Sequence, residues 1–311
     1  MIKDTNFLDM ALIDRVRVIK LLLFALFVMV RTVAPAQNQV DWSIKAGIGM
    51  ANIIGDNMEL YIYIIIFIFG SIMGSFLNVL AVRLSNNESI IYPRSHCHNC
   101  NHKLKWYELI PIISYIIQKG KSRCCHTRIP ISYLIVEIVT GALYCTAYHS
   151  FGFTNELIIS LIFISSLIVV IISDIEYMII LDEVIASSCI IIIILYLSLF
   201  GLEFTVNKIL SAILAFITMY VIKLIGDHLF KRESMGGGDI KLMFLFGLVI
   251  GYPLSICNIF LATFIAFPIA IYLLLSRKDN LIPFGPFLAM AAILIHISKI
   301  DINSIINFII K

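Results

Sequence analysis

From Leu60 to Val82 the chain carries no charged side chain, and that run is long enough to cross the hydrocarbon of a bilayer as a single helix. Inside lipid no water is available to satisfy backbone amides, so such a run has to fold as a helix that pairs its own N–H and C=O groups. Similar runs recur to the end of the chain. Of 311 residues, 60% are hydrophobic and 14% are charged. Soluble domains carry about a quarter charged residues, so a water-soluble globular fold is excluded. The net charge is only +3, and no nucleic-acid partner is expected.

Further helices are expected at about 130–149, 155–174, 183–201, 206–228, 239–256, 257–276 and 284–298. With 59–82 they make an all-α membrane protein, a polytopic bundle of about eight transmembrane helices with one small cytoplasmic cysteine-containing loop domain. The expected division is an N-terminal extension over 1–57, a first core helix over 58–82, a loop over 83–129 and a transmembrane core over 130–311. The extension reads equally as a signal-like segment, an extra membrane helix or an upstream addition to a chain starting at Met58. Its Arg15, Arg17 and Lys20 precede the apolar run Leu21 to Val30, and Ala34-Pro35-Ala36 follows.

Charge sets the orientation. Between 83 and 128 lie eight basic residues (Arg83, Arg94, Lys103, Lys105, Lys119, Lys121, Arg123, Arg128) against Glu88 and Glu108, a net of +6. Basic loops stay on the cytoplasmic side. Counting helices from there puts 174–182, 229–238 and 277–283 on that same side, where Lys231, Arg232, Arg277 and Lys278 fall. The connections near 150–154, 202–205 and 252–256 hold no Lys or Arg. The chain is therefore expected to be a multi-pass protein of the cytoplasmic (inner) membrane, with membrane lipid as a partner.

The loop also concentrates four of the seven cysteines: Cys97-x-x-Cys100 and the adjacent pair Cys124 and Cys125. Thiolates spaced in this way can reach one tetrahedral zinc ion, and a cytosolic setting disfavours disulfides. Adjacent cysteines meet one ion at poor angles, so His96, His98, His102 or His126 is an alternative fourth ligand. Plain free thiols are the competing reading.

Two acids stand out against the apolar background. Asp239 follows Gly236, Gly237 and Gly238 and opens the run Ile240 to Tyr252, in which Lys241 is the only other charge. Glycines without side chains would let another backbone, a substrate's included, approach closely. Asp174 ends a different apolar run on the same expected side. Ionisable groups at the edge of lipid are functional candidates. The plain alternative is that Asp239 caps the next helix. Two carboxyl groups brought together share a proton, because close like charges do not both ionise; one can then activate water while the other polarises a peptide carbonyl. Asp182 and Glu183 are read as acids matched to a helix N-terminus, although Asp182 is also placed to line such a site. Gly70 and Gly74 are read as a helix-packing face, and Asn78 as an embedded amide in need of a partner.

These residues resemble the type IV prepilin peptidases, membrane-embedded aspartic proteases with a Gly-x-Gly-Asp pattern. Gly236-Gly237-Gly238-Asp239 with Lys241-Leu242 matches that pattern. Gly74-Ser75-Phe76-Leu77-Asn78-Val79 with Arg83 is similar to the family's first-helix motif. Ser95-x-Cys97-x-x-Cys100, Leu104-x-Trp106-Tyr107 and Leu109-Ile110-Pro111 resemble its loop, and Ile282-Pro283-Phe284-Gly285-Pro286 the opening of its last helix. Asp174, eight residues before Asp182, matches the first catalytic aspartate. The likeness spans about residues 59–298.

The resemblance implies a membrane-embedded endopeptidase. Its catalytic residues would be Asp174 and Asp239, and it would remove the basic leader from prepilins or pilin-like secretion subunits at the cytoplasmic face. Its partners would be those substrates and the pilus or type II secretion machinery. It also implies methylation of the new N-terminus with S-adenosylmethionine, with Glu137 and Asn78 as the candidate residues. Glu137 reads equally as a partner for Arg128 or a polar helix contact. The peptidase step itself would need no cofactor. Three departures are visible: Ser122 stands where the family has a cysteine, so a tetrad needs Cys124 beside Cys125, and leucines replace prolines at Leu134 and Leu181. Two rivals predict otherwise. A proton-coupled transporter would carry ions and cleave nothing, and a non-catalytic assembly factor would tolerate loss of both aspartates.

Overall fold

The computed structural model describes residues 49–275, apart from positions 98, 232 and 234, and residues 283–300. The signal-like or extra helix expected before residue 49 lies outside them, as do His98, Arg232, Arg277 and Lys278. Among the described residues the α-helices are α1 (Gly49–Ser85), α2 (Ile113–Ile117), α3 (Ile131–Phe151), α4 (Asn155–Tyr177), α5 (Asp182–Phe200), α6 (Leu202–Phe230), α7 (Gly237–Val249), α8 (Tyr252–Leu275) and α9 (Gly285–Ile297). The described residues contain no strand, only two isolated bridges within the loop, His96 with Lys103 and Lys121 with Arg128.

Apart from the loop helix α2, these are the eight expected helices, with different limits. Six of them, α1, α3, α4, α5, α6 and α8, contain segments long and apolar enough to cross a membrane. Helices α7 and α9 have 13 residues each. At 1.5 Å per residue that is about 20 Å, well short of a hydrocarbon core of about 30 Å. The expected helices over 239–256 and 257–276 instead divide at Gly251, which takes φ +87°, with α8 starting at Tyr252. Gly201, also at φ +87°, is the whole connection between α5 and α6, in place of the expected loop over 202–205. In both cases a glycine at positive φ turns the chain inside a largely apolar stretch, and hydropathy does not locate such a turn.

Helix α4 runs through the centre, with Phe163, Leu167 and Val170 fully buried, and packs on α1, α3, α5 and α9. Helix α7 is held by α5, α6, α8 and α9. The close fits use small residues. A Cβ on Gly70 would stand 2.8 Å from Gly141 Cα, and one on Gly247 2.6 Å from Ala212 Cα. At such positions only glycine lets the two backbones meet. The packing role expected of Gly70 and Gly74 is what they perform, against α3. The long outer helices expose Ile65, Ile194, Ile217, Phe260 and Phe264, an apolar girdle of the kind a bilayer covers.

The connectivity sorts helix ends onto two faces. Loop 86–130 joins the end of α1 to the start of α3. On that loop face also lie the end of α4 and the starts of α5, α7 and α9. The opposite, far face gathers the end of α3, the start of α4, the ends of α5, α7 and α9, and the starts of α6 and α8.

Candidate active site

The short helices α7 and α9 place the acids. Both begin on the loop face, and both are too short to span. Asp239 is the third residue of α7 and is 7% exposed; Asp174 is one turn from the end of α4 and is 6% exposed. Each carboxyl lies within reach of the other's field. The Gly285 N–H, at the start of α9, donates to the Asp174 carboxylate. A side chain on Gly285 would collide with Asp174 Oδ2, and one on Gly238 would stand 2.6 Å from Ile180 Cβ. Ile180 touches both glycines and so ties the first turns of α7 and α9 together beside the two acids. Helices α4, α7 and α9 therefore contribute one aspartate, the other aspartate and a backbone donor to a single place.

The capping alternative for Asp239 is corrected. The N-cap position of α7 belongs to Gly236 and carries no side-chain cap bond. Asp239 Oδ1 is buried with no hydrogen-bond partner among the described residues. A buried unpaired carboxyl oxygen is costly, so it marks a place for water or a substrate amide. Among the described residues there is room around Gly236 and Gly237: a Cβ on Gly237 would touch nothing within 4 Å, and one on Gly236 would lie 3.7 Å from Asp239 Oδ2. Gly238 alone of the three is required by internal packing. Asp182, the first residue of α5, meets Lys241 of α7 in an exposed salt bridge at 2.5 Å. The helix-dipole reading holds for its position but missed this partner.

A second group of expected residues lies on α1 and α3. Glu137, 8% exposed, does not pair with Arg128. Its Oε2 accepts the Ile112 N–H at 2.7 Å, and it also bonds the Ser75 side chain. Ile112 has φ 62°, a conformation β-branched residues seldom take, and Glu137 is the anchor that meets it. Asn78, 4% exposed, lines a cavity of about 90 Å³ with Thr140, Ser132 and Glu176 and otherwise apolar walls.

The loop builds the thiol cluster. Arg83 donates to the carbonyls of Ser89, Ile90 and Pro93 at 3.1, 2.9 and 2.7 Å and so fixes the chain leading to Cys97. The sulfurs of Cys97, Cys100, Cys124 and Cys125 all lie within 4.8 Å of one another. Cys97 Sγ and Cys125 Sγ are 3.5 Å apart, and Cys100 Sγ and Cys124 Sγ 3.1 Å. Zinc–sulfur bonds of about 2.3 Å in a tetrahedron require sulfurs a little under 4 Å apart, so the four thiols fit zinc. The concern over adjacent cysteines is answered by the turn, which aims both at the cluster, and none of the described histidines is needed. Ser122 keeps a polar place beside them, with its Oγ 3.2 Å from Cys125 Sγ and 3.0 Å from Thr127 Oγ1. Hydrogen bonds from Ser122 and Thr127 bring the Cys125 thiol down to about 5, while its bond to Cys100 pushes Cys124 up to about 12.

Comparison with known proteins follows the same division. Residues 68–151 match the bacterial peptidase A24 N-terminal domain, and residues 161–271 match the type IV leader peptidase family. A prepilin leader peptidase/N-methyltransferase from Bacillus subtilis is 35% identical over 260 residues, 79% of this chain and 97% of that protein. Proteins of the same name are similar in Vibrio cholerae, at 29% over 76% of this chain and 98% of theirs, and in Myxococcus xanthus, at 32% over 59% and 55%. No solved structure matches the chain.

Proposed function

The chain belongs to the type IV leader peptidase family, and on that premise we propose that Asp174 and Asp239 form an aspartic dyad that cleaves the leader from prepilins. The observation that carries this is the convergence of α4, α7 and α9, which buries two carboxyl groups within each other's field and leaves one Asp239 oxygen without a partner among the described residues. One carboxylate takes a proton from water as the oxygen attacks the scissile carbonyl. The protonated partner hydrogen-bonds the carbonyl oxygen and then supplies the proton the leaving amine needs. Gly285 orients Asp174 throughout. The open space over Gly236 and Gly237 takes the extended backbone of the substrate. A basic leader at the cytoplasmic face of the inner membrane meets the acids where its apolar helix enters lipid.

The second activity is N-methylation of the new N-terminus, with S-adenosylmethionine as methyl donor. We assign Asn78 and Glu137 to that half of the protein, on α1 and α3, apart from the dyad. The four cysteines hold zinc as a structural ion that staples the two arms of the loop. The loop is tied in turn to α3 through Glu137.

The test is co-expression with prepilin precursors from the same genome. Asp174→Asn and Asp239→Asn should each abolish the mobility shift of cleavage while leaving the protein in the membrane. Cleavage retained by both single variants would overturn the dyad. Mass spectrometry of the mature N-terminus reads methylation separately.

A further inference from the structure

The far face holds a second polar cavity, of about 320 Å³, at the other end of the bundle from the two acids. It is open on one side and lined by the end of α3, the start of α4, the end of α5, the start of α6, the ends of α7 and α9 and the start of α8. Two ammonium groups border it. Lys208, in the second turn of α6, donates to the Val249 carbonyl at 3.1 Å, and its Nζ lies 5.9 Å from the Tyr196 ring centroid and 5.6 Å from that of Phe204. Lys299 Nζ stands 4.6 Å over the Phe151 ring. At the back, His296 Nε2 and Ser160 Oγ are bonded at 2.6 Å, and the imidazole stacks on Phe151. Glu156, exposed, is the acid on the rim.

Lysines at this face run against the charge bias that orients the chain. Lys208 at the C-terminus of α7 has a structural use, since a cation is favourable at the end of a helix. That use occupies one of its three N–H donors. It explains neither the cavity nor a second lysine at the mouth. Among the described residues that line it, the two lysines outnumber the single carboxylate, so this lining is net cationic. The cavity volume equals roughly ten waters, enough for a phosphate with a glycerol attached. Phe200, Phe204 and Leu254 form the wall toward the lipid-facing helices, and Phe204 is 37% exposed. A ligand suited to this shape has an anionic phosphate head and an apolar body continuous with the bilayer.

We propose that this cavity binds the headgroup phosphate of one anionic phospholipid from the extracytoplasmic leaflet, held between Lys208 and Lys299. The site joins α4, α6, α7 and α9 at the end opposite the acids, so an occupant there would brace the same helices that position the dyad.

The experiment is native mass spectrometry and thermal melting of the full-length protein. The protein is titrated with phosphatidylglycerol, phosphatidylcholine or inorganic phosphate. The unsubstituted protein should retain one phosphatidylglycerol preferentially and melt higher with it than with phosphatidylcholine. Lys208→Gln and Lys299→Gln should each weaken that retention roughly fivefold, the size expected for one lysine at an anionic membrane surface. Lys208→Arg should keep it. Should Lys208→Gln not fold, the Lys299→Gln and Lys208→Arg pair carries the same comparison, because Lys299 is exposed. Equal retention of the two lipids, or phosphatidylglycerol retention unchanged in Lys299→Gln, would overturn the proposal. Stabilisation by inorganic phosphate equal to that by the lipid would overturn the lipid as its source.

Discussion

Replacing Gly285 by alanine puts a methyl group where the Asp174 carboxylate now lies. The new Cβ would overlap Asp174 Oδ2 and stand 3.1 Å from Ile180 Cδ1. Ile180 can rotate, but the carboxylate is held by the Gly285 N–H itself, so both partners of that bond are forced apart. Relief requires the carboxyl group or the first turn of α9 to move by roughly 1 Å, and a misplacement of that size costs on the order of 100-fold in rate. Overpacking in a tight interior costs about 1–3 kcal/mol of stability, so the variant should still fold. The assay is the rate of leader removal from a purified prepilin in detergent, with kcat and KM separated, beside a melting curve. The expected result is a kcat lower by about 100-fold with KM changed by less than about threefold. Gly237→Ala is the control for packing, since its Cβ meets nothing within 4 Å; its melting temperature should stay at the unsubstituted value. A Gly285→Ala enzyme cleaving within twofold of the unsubstituted rate would refute the geometry argued for Asp174.

Purified protein should hold one zinc per chain. Cys124→Ser should lose it as completely as Cys97→Ser, whereas Ser122→Ala should keep it; metal analysis of the three variants decides whether Cys124 completes the tetrad. Glu137→Gln retains an acceptor oxygen for the Ile112 N–H, so leader cleavage should stay within about threefold, while Glu137→Ala leaves that N–H unpaired at about 1–3 kcal/mol. If the charge of Glu137 serves methyl transfer, Glu137→Gln should lower the methylated fraction alone, as read by mass spectrometry of the product. The Asp182–Lys241 pair is exposed, so Lys241→Gln should change stability by less than about 1 kcal/mol in a denaturation experiment.

The apolar runs, the basic loop and the paired acids were legible because each is a matter of residue type and spacing. Hydropathy found the helices and charge gave them an expected direction. The motif around Asp239 marked the acid, and Asp174, its proposed partner, followed from the same expected membrane side. What the sequence hid were facts of backbone shape. Gly251 and Gly201 turn within apolar runs, so two helix limits were misplaced. Glu137 looked like a match for Arg128 by charge, yet it meets a backbone N–H that no residue-type rule would nominate. With Ser122 in place of a cysteine, a tetrad needed Cys124 beside Cys125, and only the tight turn shows that both reach the cluster. Lys208 sat inside an expected helix and gave no sign of facing a cavity.

By itself, then, the sequence determined that this chain lives in a membrane and which acids are out of place there, and its charge bias gave an expectation of which way it faces. Whether those acids could meet was decided only by tertiary packing. Asp174 and Asp239 are 65 residues apart in the chain, and no periodicity within one helix says where another will end. Their lying within each other's field depends on two helices too short to span and on glycines, Gly238 and Gly285, small enough to pack around Ile180. Such contacts are set by shape and volume between segments, and a linear pattern of polar and apolar residues does not carry that information.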